Sequence, residues 1–210
     1  MNRCVIIGGA DIAAYGRIRR LLRGDDFCIC CDSGLKHAEP LGITPALIVG
    51  DFDSHEKPDT RIETIVLPRE KDDTDTVFAA REAVRRGFED FLLIGVTGAR
   101  FDHTFGNVAL LLWLEAMGKS ARIADDYSEM EIVSGKPAAI SGEYAYFSLL
   151  NISGTAEGIT IRGAKYPLDG GTIRSEYQYG ISNEVLPGET ATVSVDRGRL
   201  LLVKVFSEEA

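Results

Sequence analysis

The chain reads as an α/β domain, a mostly parallel sheet with flanking helices, followed by an all-β sandwich. Three observations predict this. Short apolar runs recur through the first half at Cys4–Ile7, Phe27–Cys31 and residues 46–49, 64–67, 91–96 and 121–124. Each is rich in β-branched or aromatic residues and ends at Gly, Asp or Pro, the mark of strands buried on both faces. Segments with helical spacing lie between them, and strand–helix alternation implies a parallel sheet. From about Met130 the helical spacing disappears, and alternating or β-branched runs follow one another between Gly, Pro and Asn turns.

Two helices are well marked. Residues 74–86 carry Val77, Phe78, Ala80, Ala83 and Val84 on one stripe and stop at Gly87. Residues 104–117 are apolar almost all round and stop at Gly118. In the second half the runs are residues 144–150, 158–161 and 190–195 and Leu200–Phe206, with Asp196-Arg197-Gly198 predicted as a hairpin loop between the last two. Some 80 residues make a thin core, so this module is expected to pack on the first domain or on a second subunit. The junction falls within residues 125–141, and the domains are set at 1–128 and 129–210.

Of the 210 residues, 45% are hydrophobic and 26% charged, an ordinary soluble mix. The net charge is −9, from 23 Lys+Arg against 32 Asp+Glu, which disfavours a nucleic-acid footprint. An acidic protein can still bind phosphates through a divalent cation held between its carboxylates and the ligand. The four cysteines, Cys4, Cys28, Cys30 and Cys31, are expected as buried core thiols rather than a metal site. A reducing cytoplasm fits their usage. The start is too short an apolar run for a signal peptide, and no stretch approaches a membrane helix.

The chemistry is expected where the strands end, because open α/β sheets bind ligands outside the carboxyl ends of their strands. Asp32-Ser33-Gly34 follows the second run, and Gly50-Asp51-Phe52-Asp53-Ser54 follows the third. Lys71-Asp72-Asp73-Thr74-Asp75 comes after the fourth, and Thr97-Gly98-Ala99-Arg100-Phe101-Asp102-His103 after the fifth. Acidic groups gathered at one edge repel one another unless a cation compensates them. Asp51 and Asp53, two apart, can face the same way in an extended turn. With Asp75 at a helix start they make an oxygen-rich set suited to Mg²⁺. Asp73, Thr74 and Asp75 can equally serve as caps of that helix. Lys71, Arg100 and His103 supply positive charge for a phosphate, although Arg100 and Asp102 can also pair with each other. Gly8-Gly9-Ala10-Asp11 has a tight turn but no G-x-G-x-x-G, and no P-loop pattern occurs.

Taken together, Cys31-Asp32-Ser33-Gly34, Gly50-Asp51-Phe52-Asp53-Ser54, Asp73-Thr74-Asp75, Gly98-Ala99-Arg100-Phe101-Asp102-His103 and Gly180-Ile181-Ser182-Asn183-Glu184 resemble the signatures of the thiamine pyrophosphokinase family, in order and rough spacing. The resemblance implies an α/β catalytic domain that uses ATP and Mg²⁺, then a β-sandwich that binds thiamine, working as a homodimer. It implies transfer of a pyrophosphoryl group from ATP to the thiamine hydroxyl, with release of AMP. Carried over, Asp51, Asp53 and Asp75 hold Mg²⁺, and Asp75, Asp102 and Arg100 form the catalytic set. Asp32, Ser33, Lys71, Asp73, Thr74, Arg100 and His103 lie on the nucleotide side; Tyr166, Ser182 and Asn183 meet thiamine. Ala99 stands where the family often has a second Gly, and Lys71 where some relatives have Gln. ATP and thiamine are the expected ligands, with neither nucleic acid nor membrane as partner.

Two other classes compete. Asp51-Phe52-Asp53-Ser54 superficially resembles the D-x-D loop of haloacid-dehalogenase-like hydrolases, with Asp51 as nucleophile. That loop normally follows the first core strand and ends in Thr, whereas residue 55 here is His. A thiamine or nucleotide sensor without turnover is the other, and it has little need for three metal ligands.

Overall fold

The computed structural model describes residues 3–52, 61–68, 70 and 72–207. The chain divides into two compact units, Met1–Asp126 and Tyr127–Ala210.

The first unit is built on six parallel strands: β1 (Cys4–Ile7), β2 (Phe27–Cys31), β3 (Leu47–Gly50), β4 (Glu63–Val66), β5 (Asp90–Ile94) and β6 (Ser120–Ala124). Their order is β6-β5-β1-β2-β3-β4. All four residues of β1 are fully buried, as the unbroken apolar run requires of a central strand covered on both faces. Each such Val or Ile contributes about 1.5–3 kcal/mol by leaving water. β4 departs from the expectation of strands buried on both faces. It is the sheet edge, and Glu63 and Val66 are exposed.

Helices α1 (Tyr15–Leu21) and α2 (Ala38–Leu41) cover one face, where Ile18 and Leu41 join Val5, Ile7, Cys28, Cys30, Leu92 and Ile94. Helix α3 (Asp75–Arg85) packs on β1, β2 and β3 and beside α4 (Phe101–Ala116). Thr74 caps α3, its Oγ1 accepting from the Val77 amide at 3.3 Å, and Gly87 follows in the left-handed region at φ 90°. α4 begins three residues before the expected start, so Phe101, Asp102 and His103 form its first turn rather than a loop. Phe101 and Phe105 point their rings to solvent, which broke the stripe that marks a helix start. All four cysteines are free and buried. Burial pushes the Cys28 thiol up to about 11 and Cys30 up to about 12, so they are inert core groups.

The second unit holds β7 (Ser128–Val133), β8 (Ala138–Ile140), β9 (Tyr144–Asn151), β10 (Thr155–Arg162), β11 (Leu168–Arg174), β12 (Gly180–Asn183), β13 (Ala191–Ser194) and β14 (Leu200–Phe206). Four of them run antiparallel in the order β12-β9-β14-β7 and the others in the order β11-β10-β13-β8. Inward-facing residues of both sheets fill the space between them, among them Phe147, Leu149, Ile159, Ile161, Ile173, Val193, Leu200 and Leu202. Asp196-Arg197-Gly198 is not a hairpin loop. β13 and β14 belong to different sheets, so this turn carries the chain across the sandwich. Its backbone bonds to β10 instead, Glu157 N donating to Arg197 O at 2.9 Å. Turn residues announce a reversal but not the partner that follows it.

Candidate active site

In the first unit the strand order reverses between β1 and β5, and a crevice opens outside their carboxyl ends. The ladder runs on past the strands: Gly8 N donates to Ile94 O and Ala10 N to Gly95 O, both at 2.9 Å. The two loops touch backbone to backbone. A Cβ on Gly8 would lie 2.5 Å from Gly95 O, and one on Gly9 would collide with Ser33 Oγ. Above this floor is a cleft of about 430 Å³. Asp32, Ser33, Thr74, Asp75, Arg100 and His103 all line it, six of the expected site residues from three different loops.

Each is positioned by its element. Asp32 opens a short 3-10 helix, Asp32–His37, directly after β2, with φ at 41°. A non-glycine residue there costs on the order of 1 kcal/mol and is held only when its surroundings demand it. Its Oδ1 is buried without a hydrogen-bond partner among the described residues. Asp75 is the first residue of α3, and the Cys31 thiol reaches its carbonyl at 3.6 Å. Asp51 follows β3 and is half-buried, but it does not line the cleft. The turn after it is not extended as expected, because Phe52 sits at φ 51°. Asp53 and Lys71 lie outside the described residues. Asp73 turns away to Arg81, 2.6 Å from its guanidinium, and does not line the cleft.

Arg100 and Asp102 pair with each other bidentately, at 2.9 and 2.6 Å. The Arg100 guanidinium, helped by the His103 amide, holds the Asp102 carboxyl well below the usual carboxylate range. Their loop is braced from α4. Thr104 Oγ1 accepts from Gly98 N at 3.1 Å, and the buried Asn107 donates to Val96 O at 2.8 Å. The sequence marks Gly8 only as part of a tight turn and does not mark the braces Thr104 and Asn107 or Gly95 as site residues. Their signal was present, a glycine immediately after each of the two central strands and a polar residue on an otherwise apolar helix.

Oxygen-only donors of this kind fit a hard cation such as Mg²⁺, and the unpartnered buried Asp32 Oδ1 belongs to the same chemistry. Among the described residues no three His, Cys, Asp or Glu side chains are close enough to hold a metal ion.

In the second unit Tyr166, Ser182 and Asn183 come together around β12. Asn183 is buried, and its side chain serves its own backbone neighbours. Oδ1 accepts from Tyr166 N at 3.0 Å and Glu184 N at 2.9 Å, while Nδ2 donates to Tyr166 O at 2.8 Å. Tyr166 is thereby fixed with its ring exposed, the Lys165 ammonium 5.7 Å from the ring centre. Ser182 has φ 59° in an irregular stretch of β12 pairing, and its amide donates to Ser148 Oγ at 3.0 Å.

A carboxylate-lined crevice at the switch point of a parallel α/β sheet, joined in one chain to a β-sandwich, defines a two-unit α/β enzyme class. Residues 18–123 match the family described as Thiamin pyrophosphokinase, catalytic domain, and residues 136–200 match Thiamin pyrophosphokinase, vitamin B1 binding domain. The chain is 29% identical over 187 residues to the thiamine pyrophosphokinase of Bacillus subtilis (strain 168), covering 82% of this chain and 84% of that protein. Its fold is similar to the solved thiamin pyrophosphokinase of Geobacillus thermodenitrificans, with TM-score 0.83, 27% identity and 98% of each chain covered. The solved B. subtilis thiamine pyrophosphokinase shares the fold at TM-score 0.87 and 22% identity, over 98% of this chain and 100% of that one. The chain belongs to the thiamin pyrophosphokinase family. The general activity of that family is transfer of the pyrophosphoryl group of ATP to thiamine.

Proposed function

We propose that this chain carries out that transfer with the nucleotide in the cleft of the first unit and thiamine at the Tyr166 surface of the second. The observation that carries the reading is the convergence of Asp32, Ser33, Thr74, Asp75, Arg100 and His103 on one cleft. Residues at the starts of α3 and α4 line it, and helix N-termini favour the negative charge of phosphates. Asp51, Asp53 and Asp75 would hold Mg²⁺. When bound, the cation supplies neutralisation of charge on the β- and γ-phosphates. Arg100 grips a phosphate oxygen, and Lys71 adds a point charge.

The thiamine hydroxyl oxygen attacks the β-phosphorus of ATP. Its O–P bond forms as the bridge between the α- and β-phosphates breaks, and that electron pair leaves with AMP. Such transfers ask mainly for positioning and charge stabilisation. The hydroxyl proton goes to a carboxylate of the catalytic set, Asp75 or Asp102. The Asp102 carboxylate also orients the Arg100 guanidinium, through hydrogen bonds of 2.9 and 2.6 Å. The cationic thiazolium suits the exposed ring of Tyr166.

Homodimerisation belongs to the same proposal. The exposed, stacked Phe101–Phe105 pair is apolar surface of a kind that oligomers cover, and sedimentation velocity tests it. No helix among the described residues is long and apolar enough to cross a membrane, and the four reduced cysteines suit the cytoplasm. Incubation with thiamine, ATP and Mg²⁺ should yield thiamine diphosphate and AMP in equal amounts. Thiamine binding without AMP, or release of ADP instead, would overturn the reading.

A further inference from the structure

The loop after β1 contributes Gly8, Gly9, Ala10 and Asp11 to the cleft, and the 3-10 helix after β2 contributes Asp32 and Ser33. One side chain ties these two segments together from behind. His37, the last residue of the 3-10 helix, is 1% exposed and does not line the cleft. Its Nε2 lies 2.9 Å from the Ala10 carbonyl oxygen, and its Nδ1 lies 2.7 Å from the Tyr15 hydroxyl. A carbonyl can only accept, so Nε2 carries the proton. Nδ1 of the neutral ring then accepts, and the Tyr15 hydroxyl donates to it. Burial favours that neutral ring by lowering the His37 pKa, against the Ala10 carbonyl, Asp11 and Asp126, which favour the cation.

The chain Tyr15 O–H to His37 to Ala10 C=O is therefore fully directed. Its end point matters, because Ala10 is also the residue whose amide bonds Gly95 O across the crevice. Ala10 further packs against Gly98 of the Arg100 loop, where a Cβ would meet the Ala10 Cβ at 3.5 Å. Fixing the Ala10 carbonyl thus sets the register among three cleft-lining segments. The loop's far end is held separately: the Asp126 carboxylate accepts from Ala13 N at 2.8 Å and Ala14 N at 2.9 Å. Between these anchors the Ala10–Asp11 stretch is braced from the protein interior by His37, the Lys36–Asp11 ion pair being exposed.

We propose that His37, oriented by Tyr15, is a positioning residue that sets the nucleotide wall of the cleft, and so governs affinity for ATP while leaving thiamine affinity untouched. This rests on the reading that ATP occupies the cleft. The test compares Tyr15→Phe, His37→Ala and His37→Gln with wild type. His37→Gln keeps an amide N–H near the place of Nε2 and can still donate to the Ala10 carbonyl.

In His37→Ala the KM for ATP should rise about tenfold, the equivalent of one well-placed buried hydrogen bond. His37→Gln should stay within about threefold of wild type, and Tyr15→Phe should fall between the two. The KM for thiamine should be unchanged in all three. Tyr15→Phe removes one hydroxyl oxygen and carries the comparison should His37→Ala fail to fold. An equilibrium titration with ATP, which needs no turnover, should give the same ranking. If wild type binds ATP but makes no thiamine diphosphate, the proposed function fails while the titration still decides the role of His37. Equal ATP affinity in wild type and Tyr15→Phe, a His37→Gln as weak as His37→Ala, or a thiamine KM rising in step would each overturn the proposal.

Discussion

The two units handle polar side chains in opposite ways. In the first unit they are segregated along the strand axis. β1, β2, β3 and β5 are buried almost throughout, and the groups proposed for chemistry hang from the loops beyond their carboxyl ends. In the second unit polar groups are woven into the sandwich itself. Lys204 sits on β14 in register with the core residues Leu200 and Leu202, 2.8 Å from Glu131 and 3.3 Å from Glu129. Asn183, on β12, is buried against backbone. A parallel sheet covered on both faces has only its ends free for function. An antiparallel sandwich alternates inward and outward along every strand, so site and scaffold share the same strands. Substituting the cleft carboxylate Asp75 of the first unit should therefore spare the fold, and substituting the buried Lys204 or Asn183 of the second should not.

The sharpest test is Lys204→Met. It leaves Glu129 and Glu131 without their buried cation and should destabilise the second unit by about 3–5 kcal/mol, measured by urea unfolding. A variant as stable as wild type would remove the contrast. Asp75→Asn should do the converse, lowering kcat roughly a hundredfold, about 2.7 kcal/mol in barrier, with the melting temperature unchanged. Near-normal turnover at limiting Mg²⁺ would show the carboxylate to be a cap and nothing more. Asn183→Ala lies between these. Losing three backbone bonds around Tyr166 should take about 1–3 kcal/mol from stability and raise the thiamine KM without changing that for ATP.

The smallest effect lies in pH dependence. Arg85 and Arg86 pull the Glu82 carboxyl down to about 2 from 4.5. A lowered folded-state pKa gives stability that is complete above pH 4.5 and is lost as pH falls toward 2. Lys204 is the mirror case. Burial opposes its charge, but Glu131 and Glu129 outweigh burial and raise its pKa above 10.5. Its contribution is complete below pH 10.5 and is lost as pH rises beyond that. Thermal melts across pH should show Glu82→Gln flattening the acid limb alone.

This contrast also explains what was legible. Buried parallel strands announce themselves as apolar runs, and whatever follows them is a short polar segment, so Asp32, Asp75, Arg100 and His103 could be named from position alone. Tyr166, Ser182 and Asn183 could be named only by resemblance, because nothing in an alternating pattern distinguishes a functional polar residue from an outward-facing one. The errors have the same origin. Asp196-Arg197-Gly198 reads as a hairpin because local residues encode a turn and leave the pairing open. The start of α4 was placed late because exposed Phe101 and Phe105 do not resemble the polar face of a helix. Phe52 at φ 51° could not be expected, since a bulky aromatic residue disfavours the left-handed region that the flanking Asp51 and Asp53 would tolerate better.

By itself the sequence determined the two-part architecture, the strand ends as the place for chemistry, and the carboxylates and cations gathered there. Those follow from periodicity and from residue type, which are local. The tertiary structure alone decided the strand order that puts β1 beside β5, and with it the crevice. It decided that Arg100 takes Asp102 as its partner and Asp73 takes Arg81. It also decided that His37, distant in sequence from both Tyr15 and Ala10, stands between them. The His37 contacts are long-range, selected by how strands and helices pack together, whereas the Arg100–Asp102 and Asp73–Arg81 pairs are local and the tertiary structure decided only which of several possible partners each takes.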